Sequence, residues 1–360
     1  VIKRCFRGNF MKKVKVGVVG CGAISGIYLK NLTSVFDNTE VIAVCDIDSA
    51  RALKAAAEYG IGRICTLDEM LGDNEIDIVA NLTTPKSHYS ICKKALQAGK
   101  HVYVEKPLCV EFEEGVELVA LAKKNNLLIG AAPDTFLGAG IQTCISLINS
   151  GEIGAVTSST AFMMCHGHES WHPDPEFYYE KGGGPMFDMG PYYLTALVNM
   201  LGPVEYVAGM TGMAYEERTI TSKRKYGKKV KVEVPTHING LMRFKSGAIG
   251  SIITSFDVWG HNVPRIEIHG TEGSLSVPDP NCFDGPVKIK KGRSDWEDIE
   301  ITLPYSDNSR GVGISDMAKS LEEGRMNSAN GIKALHVLEL MHGFHWAADS
   351  NKNYTLTTTF

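Results

Sequence analysis

The sequence predicts an α/β protein in two parts: a doubly wound parallel sheet, then an α+β part built on a mostly antiparallel sheet. Three observations carry this. From Lys13 to about Ala132, short apolar runs alternate with stretches of helical spacing. From about Gly154, strand-like runs follow one another with mostly turns between them. A chain of 360 residues also exceeds the roughly 100–200 residues of one ordinary domain. We place an N-terminal extension without a role at 1–10, the first domain at 11–132 and the second at 133–360.

In the first part the apolar runs are Val14–Val19, Val41–Cys45, Ile76–Leu82, His101–Val104 and Leu127–Ala131. They lack polar alternation, as expected of strands covered on both faces. Ile24–Leu32, Ser49–Tyr59, Lys86–Ala98 and Val110–Lys124 fall between them and read as helices. Strand–helix alternation of this length gives βαβ units and a parallel sheet. In the second part the strands are Val156–Met164, Tyr206–Ala214, His237–Phe244, Ala248–Phe256, Arg265–His269 and Ser274–Val277. Ser246-Gly247 and Thr271-Glu272-Gly273 read as hairpin connections. Two helices are expected among them, Met186–Leu201 and Gly331–Ala348. The basic segment Glu216–Lys231 reads as a solvated loop or hairpin.

Composition excludes several classes. Lys and Arg total 37 against 41 Asp and Glu, a net charge of −4, which argues against nucleic-acid binding through a basic surface. No apolar run approaches the roughly 18 residues of a membrane helix, so no membrane partner is expected. The nine cysteines are scattered without a C-x-x-C pair, which suits reduced thiols in a cytoplasmic protein. Residues 1–10 contain no apolar core of a secretory signal.

The first run leads into Gly20-Cys21-Gly22-Ala23-Ile24-Ser25-Gly26. Gly20 permits a tight turn, and Gly22 lets a pyrophosphate approach the backbone. The helix N-terminus then offers free N–H groups and the positive end of its dipole. Ser25 takes the small third position of G-x-G-x-x-G/A. Asp46 ends the next strand, where an acid bonds a ribose 2′-hydroxyl and repels a 2′-phosphate. This favours NAD, while Arg51 leaves room for NADP. Asp48 is an alternative acid, and either aspartate could instead cap the second helix.

These features, together with three further segments, resemble the Gfo/Idh/MocA oxidoreductases, the family of glucose-fructose oxidoreductase and inositol dehydrogenase. Thr84-Pro85-Lys86-Ser87-His88 is similar to that family's N/T-P-x-x-H. Gly99-Lys100-His101-Val102-Tyr103-Val104-Glu105-Lys106-Pro107 matches G-K-H-V-x-x-E-K-P. Gly182-Gly183-Gly184-Pro185-Met186-Phe187-Asp188-Met189-Gly190-Pro191-Tyr192 resembles G-G-G-x-x-x-D-x-G-x-H, with Tyr192 where most members have histidine. The resemblance runs from about residue 12 to 350. It implies an N-terminal Rossmann domain and a C-terminal α+β domain with a large open sheet. The implied chemistry is hydride transfer between a nicotinamide and a sugar, polyol or cyclic diol, in a homodimer or homotetramer.

On the implied site, Lys106 follows a strand whose carboxyl end faces the ligand crevice, and its ammonium can stabilise alkoxide character. Asp188 and Tyr192, four apart on one expected helix, share a face. Tyr192 is the candidate for taking the hydroxyl proton, with Lys106 lowering the ordinary phenol pKa of about 10. Asp188 orients substrate or the phenol. Gly20, Gly22, Ala23, Ile24, Asp46, Thr84, Pro85, His88, Glu105 and Lys106 are the candidate cofactor contacts. His88 could equally serve a structural role at its helix start. In Cys165-His166-Gly167-His168-Glu169-Ser170-Trp171-His172-Pro173, His166 and His168 alternate onto one face of a strand end, which invites a zinc reading. The resemblance requires no metal, so His166, His168, Trp171 and His172 are expected to line the substrate pocket. Two other functions stay open on the same resemblance: an NAD-dependent redox glycosidase and a non-catalytic nucleotide sensor.

Overall fold

The computed structural model describes residues 13–360; the expected extension at 1–10 lies outside them. In the first part, β1 (Val14–Val19), α1 (Ser25–Ser34), β2 (Thr39–Cys45), α2 (Ser49–Tyr59), α3 (Leu67–Gly72), β3 (Ile78–Asn81), α4 (Pro85–Gln97), β4 (His101–Val104), α5 (Phe112–Lys124) and β5 (Ile129–Ala131) follow in order. The strands form a parallel sheet of order β2-β1-β3-β4-β5. Their apolar runs are explained by burial on both faces: Val16, Val18, Ile78, Val79, Val102 and Val104 expose no surface. After β1 the chain passes first to one neighbour, β2, and then to the other, β3. That reversal makes a crevice at the carboxyl ends of β1 and β3, where such sheets bind ligands.

The second part begins with α6 (Ala139–Asn149) and β6 (Val156–Met164). It continues through α7 (Gly184–Asp188), α8 (Gly190–Leu201), β7 (Val204–Gly212), the short hairpin β8 (Glu217–Thr219) and β9 (Lys229–Lys231), β10 (His237–Phe244) and β11 (Ile249–Ser255). Next come β12 (Ile266–Gly270), β13 (Gly273–Val277), β14 (Val287–Lys291), β15 (Glu297–Ile299), α9 (Val312–Glu323), α10 (Gly331–Ser350) and β16 (Tyr354–Thr355). Nine strands form one sheet of order β15-β14-β13-β12-β6-β11-β10-β7-β16. The β6–β11 pair is parallel and the remaining pairs are antiparallel. Helix α10 packs across both parts: a Cβ added at Gly115 of α5 would lie 2.9 Å from Leu335 Cδ1.

Two expectations are corrected here. The helical content of the second part is larger than the two helices expected, because α6 and α9 also form. The single helix expected over Met186–Leu201 is two helices that meet at Met189. The cause is local. Pro191 has no N–H and suits a first helical turn, so a new helix starts there. The Tyr192 N–H then donates to Met189 O at 3.0 Å, not to the carbonyl four residues back. That leaves the Asp188 carbonyl free, and the site uses it.

Candidate active site

The cofactor edge is legible from which helix ends are closed. Asp48 caps α2 by accepting from the Ala50 N–H at 3.0 Å. Thr66 and Glu69 form a full capping box on α3. By contrast α1 has no side-chain cap and no acid in its first turn. The backbone N–H groups of Gly22, Ala23 and Ile24 find no partner among the described residues. A Cβ at Gly22 would meet nothing within 4 Å, so the turn is open on its outer side. At Gly20, with φ +95°, a Cβ would sit 2.8 Å from the Leu82 carbonyl, so only glycine fits between the ends of β1 and β3. An exposed helix N-terminus with unpaired N–H groups fits a diphosphate.

Asp46 and Asp48 divide the work left open between them. Asp48 is the cap and also pairs with Arg51 at 3.3 Å. Asp46 accepts from the Cys21 N–H at 2.7 Å and the Asp48 N–H at 2.8 Å, tying the end of β2 to the glycine turn. Helix α4 opens beside it, with Thr84 making no side-chain cap and Pro85 in the first turn.

Two residues expected at the cofactor surface are internal braces instead. His88 is fully buried; Nδ1 lies 2.7 Å from the Pro107 carbonyl and Nε2 3.1 Å from the Thr83 carbonyl. Both nitrogens face backbone carbonyls, one of them as donor, so the ring ties α4 to the turn after β4 and presents nothing to a ligand. Glu105 is buried, accepting from Tyr28 OH at 2.6 Å and from the Lys106 N–H at 2.9 Å. It holds the turn from which Lys106 projects, and the Lys106–Pro107 bond is cis.

Lys106 crosses from the first part to the second. Its Nζ donates to the freed Asp188 carbonyl at 2.6 Å and to Asp188 Oδ1 at 2.9 Å. The other carboxylate oxygen, Oδ2, lies 3.0 Å from His168 Nε2. Lys106 Nζ also stands 5.4 Å from the centroid of the Tyr192 ring. These four side chains come from the β4 end, the α7–α8 break and the segment after β6. Burial works against the Lys106 ammonium, but the Asp188 carboxylate beside it outweighs that and holds its pKa above lysine's ordinary value. Burial likewise works against the Asp188 carboxylate, yet Lys106 and His168 bring it down to about 2. The pair is therefore ionised across the neutral range.

Tyr192 departs from expectation. Burial pushes its pKa up; Lys106 and Arg310 oppose that push, and the net shift is still upward. Lys106 faces the ring rather than bonding the hydroxyl, which limits what it does for the phenolate. Arg310 is a residue that sequence reasoning missed. It is held by Asn281 at 2.6 Å and lies in a segment with no motif. Tyr178 was missed too, and its ring centroid stands 4.3 Å from that of His168.

His166 and His168 do not share a face, because Gly167 at φ +73° turns the chain between them. His166 stacks on Trp259 with centroids 3.4 Å apart, away from Asp188. His172 accepts from the Asp174 N–H at 3.1 Å and braces its own loop, while Trp171 stands beside His168 with 61% of its surface exposed. Among the described residues, no three His, Cys, Asp or Glu side chains gather as metal ligands. No helix among them is long and apolar enough to cross a membrane.

Comparison with known proteins identifies the family of both parts. Residues 14–132 match the family described as an oxidoreductase family with an NAD-binding Rossmann fold. Residues 141–276 match the GFO/IDH/MocA C-terminal domain. The chain is 33% identical over 336 residues to a dTDP-3,4-didehydro-2,6-dideoxy-alpha-D-glucose 3-reductase of Saccharopolyspora spinosa, covering 87% of this chain and 93% of that one. An NAD binding oxidoreductase from Klebsiella pneumoniae shares the fold at TM-score 0.83 and 18% identity, over 96% of this chain and 99% of that one. A levoglucosan dehydrogenase in complex with NADH and L-sorbose does so at TM-score 0.82 and 20% identity, over 97% and 100%.

Proposed function

The chain belongs to the Gfo/Idh/MocA oxidoreductases, and we propose that it transfers hydride between NAD and a CH–OH or C=O carbon of a sugar, polyol or cyclic diol. The observation that carries this reading is the Lys106–Asp188–His168 chain at the carboxyl edge of the parallel sheet. When bound, the nicotinamide supplies the two-electron chemistry. The protein's part is positioning and charge. The open N-terminus of α1 holds the diphosphate, and Asp46 meets the adenosine ribose and disfavours a 2′-phosphate. Arg51 lies 3.3 Å from Asp48 through its Nε, and that neighbouring carboxylate weighs against a phosphate there.

At the reacting end, Lys106 bonds the substrate oxygen and stabilises its negative charge as the carbon changes oxidation state. Tyr192, kept protonated by burial, donates a hydrogen bond to the same oxygen. Asp188 fixes Lys106 through two acceptors and so sets where its remaining N–H points. Trp171 offers an apolar face to a sugar ring. The relative from Saccharopolyspora spinosa, named as a 3-reductase of a dTDP-didehydro-dideoxyglucose, supports a sugar-type substrate.

We further propose a homo-oligomer formed through the outer face of the large sheet. Met210 pairs with Asn239, two residues from Leu241 on the same strand, and Ile249 pairs with Arg243, so all three project to one face. They are exposed by 76%, 56% and 48%. Sedimentation velocity is expected to give a dimer or tetramer.

The functional test is NADH formation, followed by absorbance, with D-glucose, myo-inositol and levoglucosan, repeated with NADP. Turnover with NAD on at least one polyol is expected. A preference for NADP would overturn the role given to Asp46. Sugar release from a glycoside without net NADH would favour a redox glycosidase, and tight NAD binding without any turnover a sensor.

A further inference from the structure

We propose that His168, through Nδ1, is the general base that takes the hydroxyl proton in oxidation and returns it in reduction; this rests on the hydride-transfer reading above. The two ring nitrogens have different partners. Nε2 lies 3.0 Å from Asp188 Oδ2. That carboxylate is ionised and can only accept, so Nε2 carries the proton and donates it to Asp188. In the neutral ring the lone pair then sits on Nδ1. Among the described residues Nδ1 has no hydrogen-bond partner, and it is not one of the polar atoms sealed from solvent without one. A carboxylate fixing one imidazole nitrogen so that the other can move a proton is the arrangement that orients a base in hydrolytic triads.

The ring is held on three further sides. The centroid of Tyr178 stands 4.3 Å away, that of Phe256 4.7 Å and that of Trp171 5.3 Å. The ionisable groups facing it are Asp188 from α7 and Tyr178 from the turn before it; Lys106 stands behind Asp188. One carboxylate thus holds both the ammonium that meets the substrate oxygen and the imidazole that would take its proton. Tyr192 is the alternative carrier. Its phenol, kept protonated by burial, suits donating a hydrogen bond and is a poor acceptor of a proton at neutral pH.

In the oxidation, the carbinol C–H bond breaks and its electron pair leaves as hydride to the oxidised nicotinamide. The O–H bond breaks with its pair retained to form C=O, and the proton bonds to Nδ1. The resulting imidazolium sits against the Asp188 carboxylate and then releases its proton to solvent.

Two measurements test this. Side-chain ¹⁵N NMR of the full chain with NAD bound reads the tautomer. In the neutral ring the proton is expected on Nε2 of His168, and that preference should be lost in D188N. A ring protonated at Nδ1 overturns the proposal. Glutamine keeps an N–H for Asp188 but has no basic nitrogen, so H168Q separates orientation from proton transfer. With a polyol of the panel above, kcat is expected to fall about 10²- to 10⁴-fold in H168Q. KM should change far less, and the acid limb of kcat against pH should disappear. A kcat close to wild type with the acid limb intact overturns the proposal. If the wild type turns over none of the panel, the hydride-transfer reading fails and takes the base assignment with it; turnover by the wild type with H168Q unimpaired overturns the base assignment alone.

Discussion

Two buried cations flank the segment after β6, and they differ in how completely they are answered. Arg218, its side chain 3% exposed, bonds Glu169 at 2.7 Å, the Phe256 carbonyl at 2.7 Å and Asp257. Tyr179 OH closes the other oxygen of Glu169, and Thr236 OH donates to Asp257 Oδ2 at 2.7 Å. Arg218 Nε alone of its nitrogens lacks a partner, and it is sealed from solvent, so no ligand reaches it. Lys106, 19% exposed, bonds only the carbonyl and one carboxylate oxygen of Asp188. An ammonium has three N–H donors, so one is left for a ligand. The Arg218 cluster fastens the β8–β9 hairpin to the sheet; the Lys106 cluster has capacity to spare. An unsaturated charge cluster is a better pointer to chemistry than a buried charge as such.

The sharpest way to break that contrast is at Asp188, which serves both Lys106 and His168. D188N removes the charge that holds the ammonium, and kcat is expected to fall about 10²- to 10³-fold, with little change in NAD affinity by calorimetry. At the other cluster, R218M strands Glu169 and Asp257 as unpaired buried charges. Denaturant unfolding should show a loss of about 3–5 kcal/mol. If R218M instead left stability intact and removed activity, the assigned roles would be reversed.

The pH dependence of folding sharpens the comparison. Against the push of burial, Lys106 and His168 hold the pKa of the Asp188 carboxyl at about 2, below the ordinary aspartate value. Its contribution, about 2 kcal/mol, is present above the unfolded value and is lost as pH falls toward 2. A stability curve of D188N should lack that acid step. Gly167 sits between the two clusters at φ +73°, where a Cβ would press on Glu169 and Tyr179. G167A should cost at least about 1–2 kcal/mol from the left-handed backbone alone, and it should lower kcat by displacing His168. The smallest effect lies away from both. Burial depresses His336 and His345 to about 4, so their support for the fold is complete above the unfolded value and fades as pH drops toward 4. His345 Nε2 is buried without a partner; H345F should raise Tm at pH 5 by about 2–4 °C.

How much was legible in the sequence follows the same division. The parallel sheet could be read almost to the residue, since strands buried on both faces announce themselves as unbroken apolar runs. Val14–Val19 and His101–Val104 end where expected. The glycine turn, Lys106 and Asp188 were visible because each lies in a contiguous motif. The break at Met189 had its signal in Gly190-Pro191, but four-residue spacing made one continuous helix look sufficient. Helix α9 was hidden by its glycines: Gly313 reads as a loop residue, yet a Cβ there would run into the Tyr103 ring. Long-range contacts left no local trace. Nothing around Arg310 in the chain points to Tyr192, and nothing near His168 says that Asp188, rather than His166, is its neighbour.

The central claim is that the Lys106 cluster performs chemistry while the fold and the cofactor edge stand without it. K106M tests it most directly when NAD affinity and turnover are measured on one preparation. The account predicts NAD binding near wild type with polyol oxidation reduced about 10²-fold or more. Turnover close to wild type in a K106M protein that still binds NAD would contradict it.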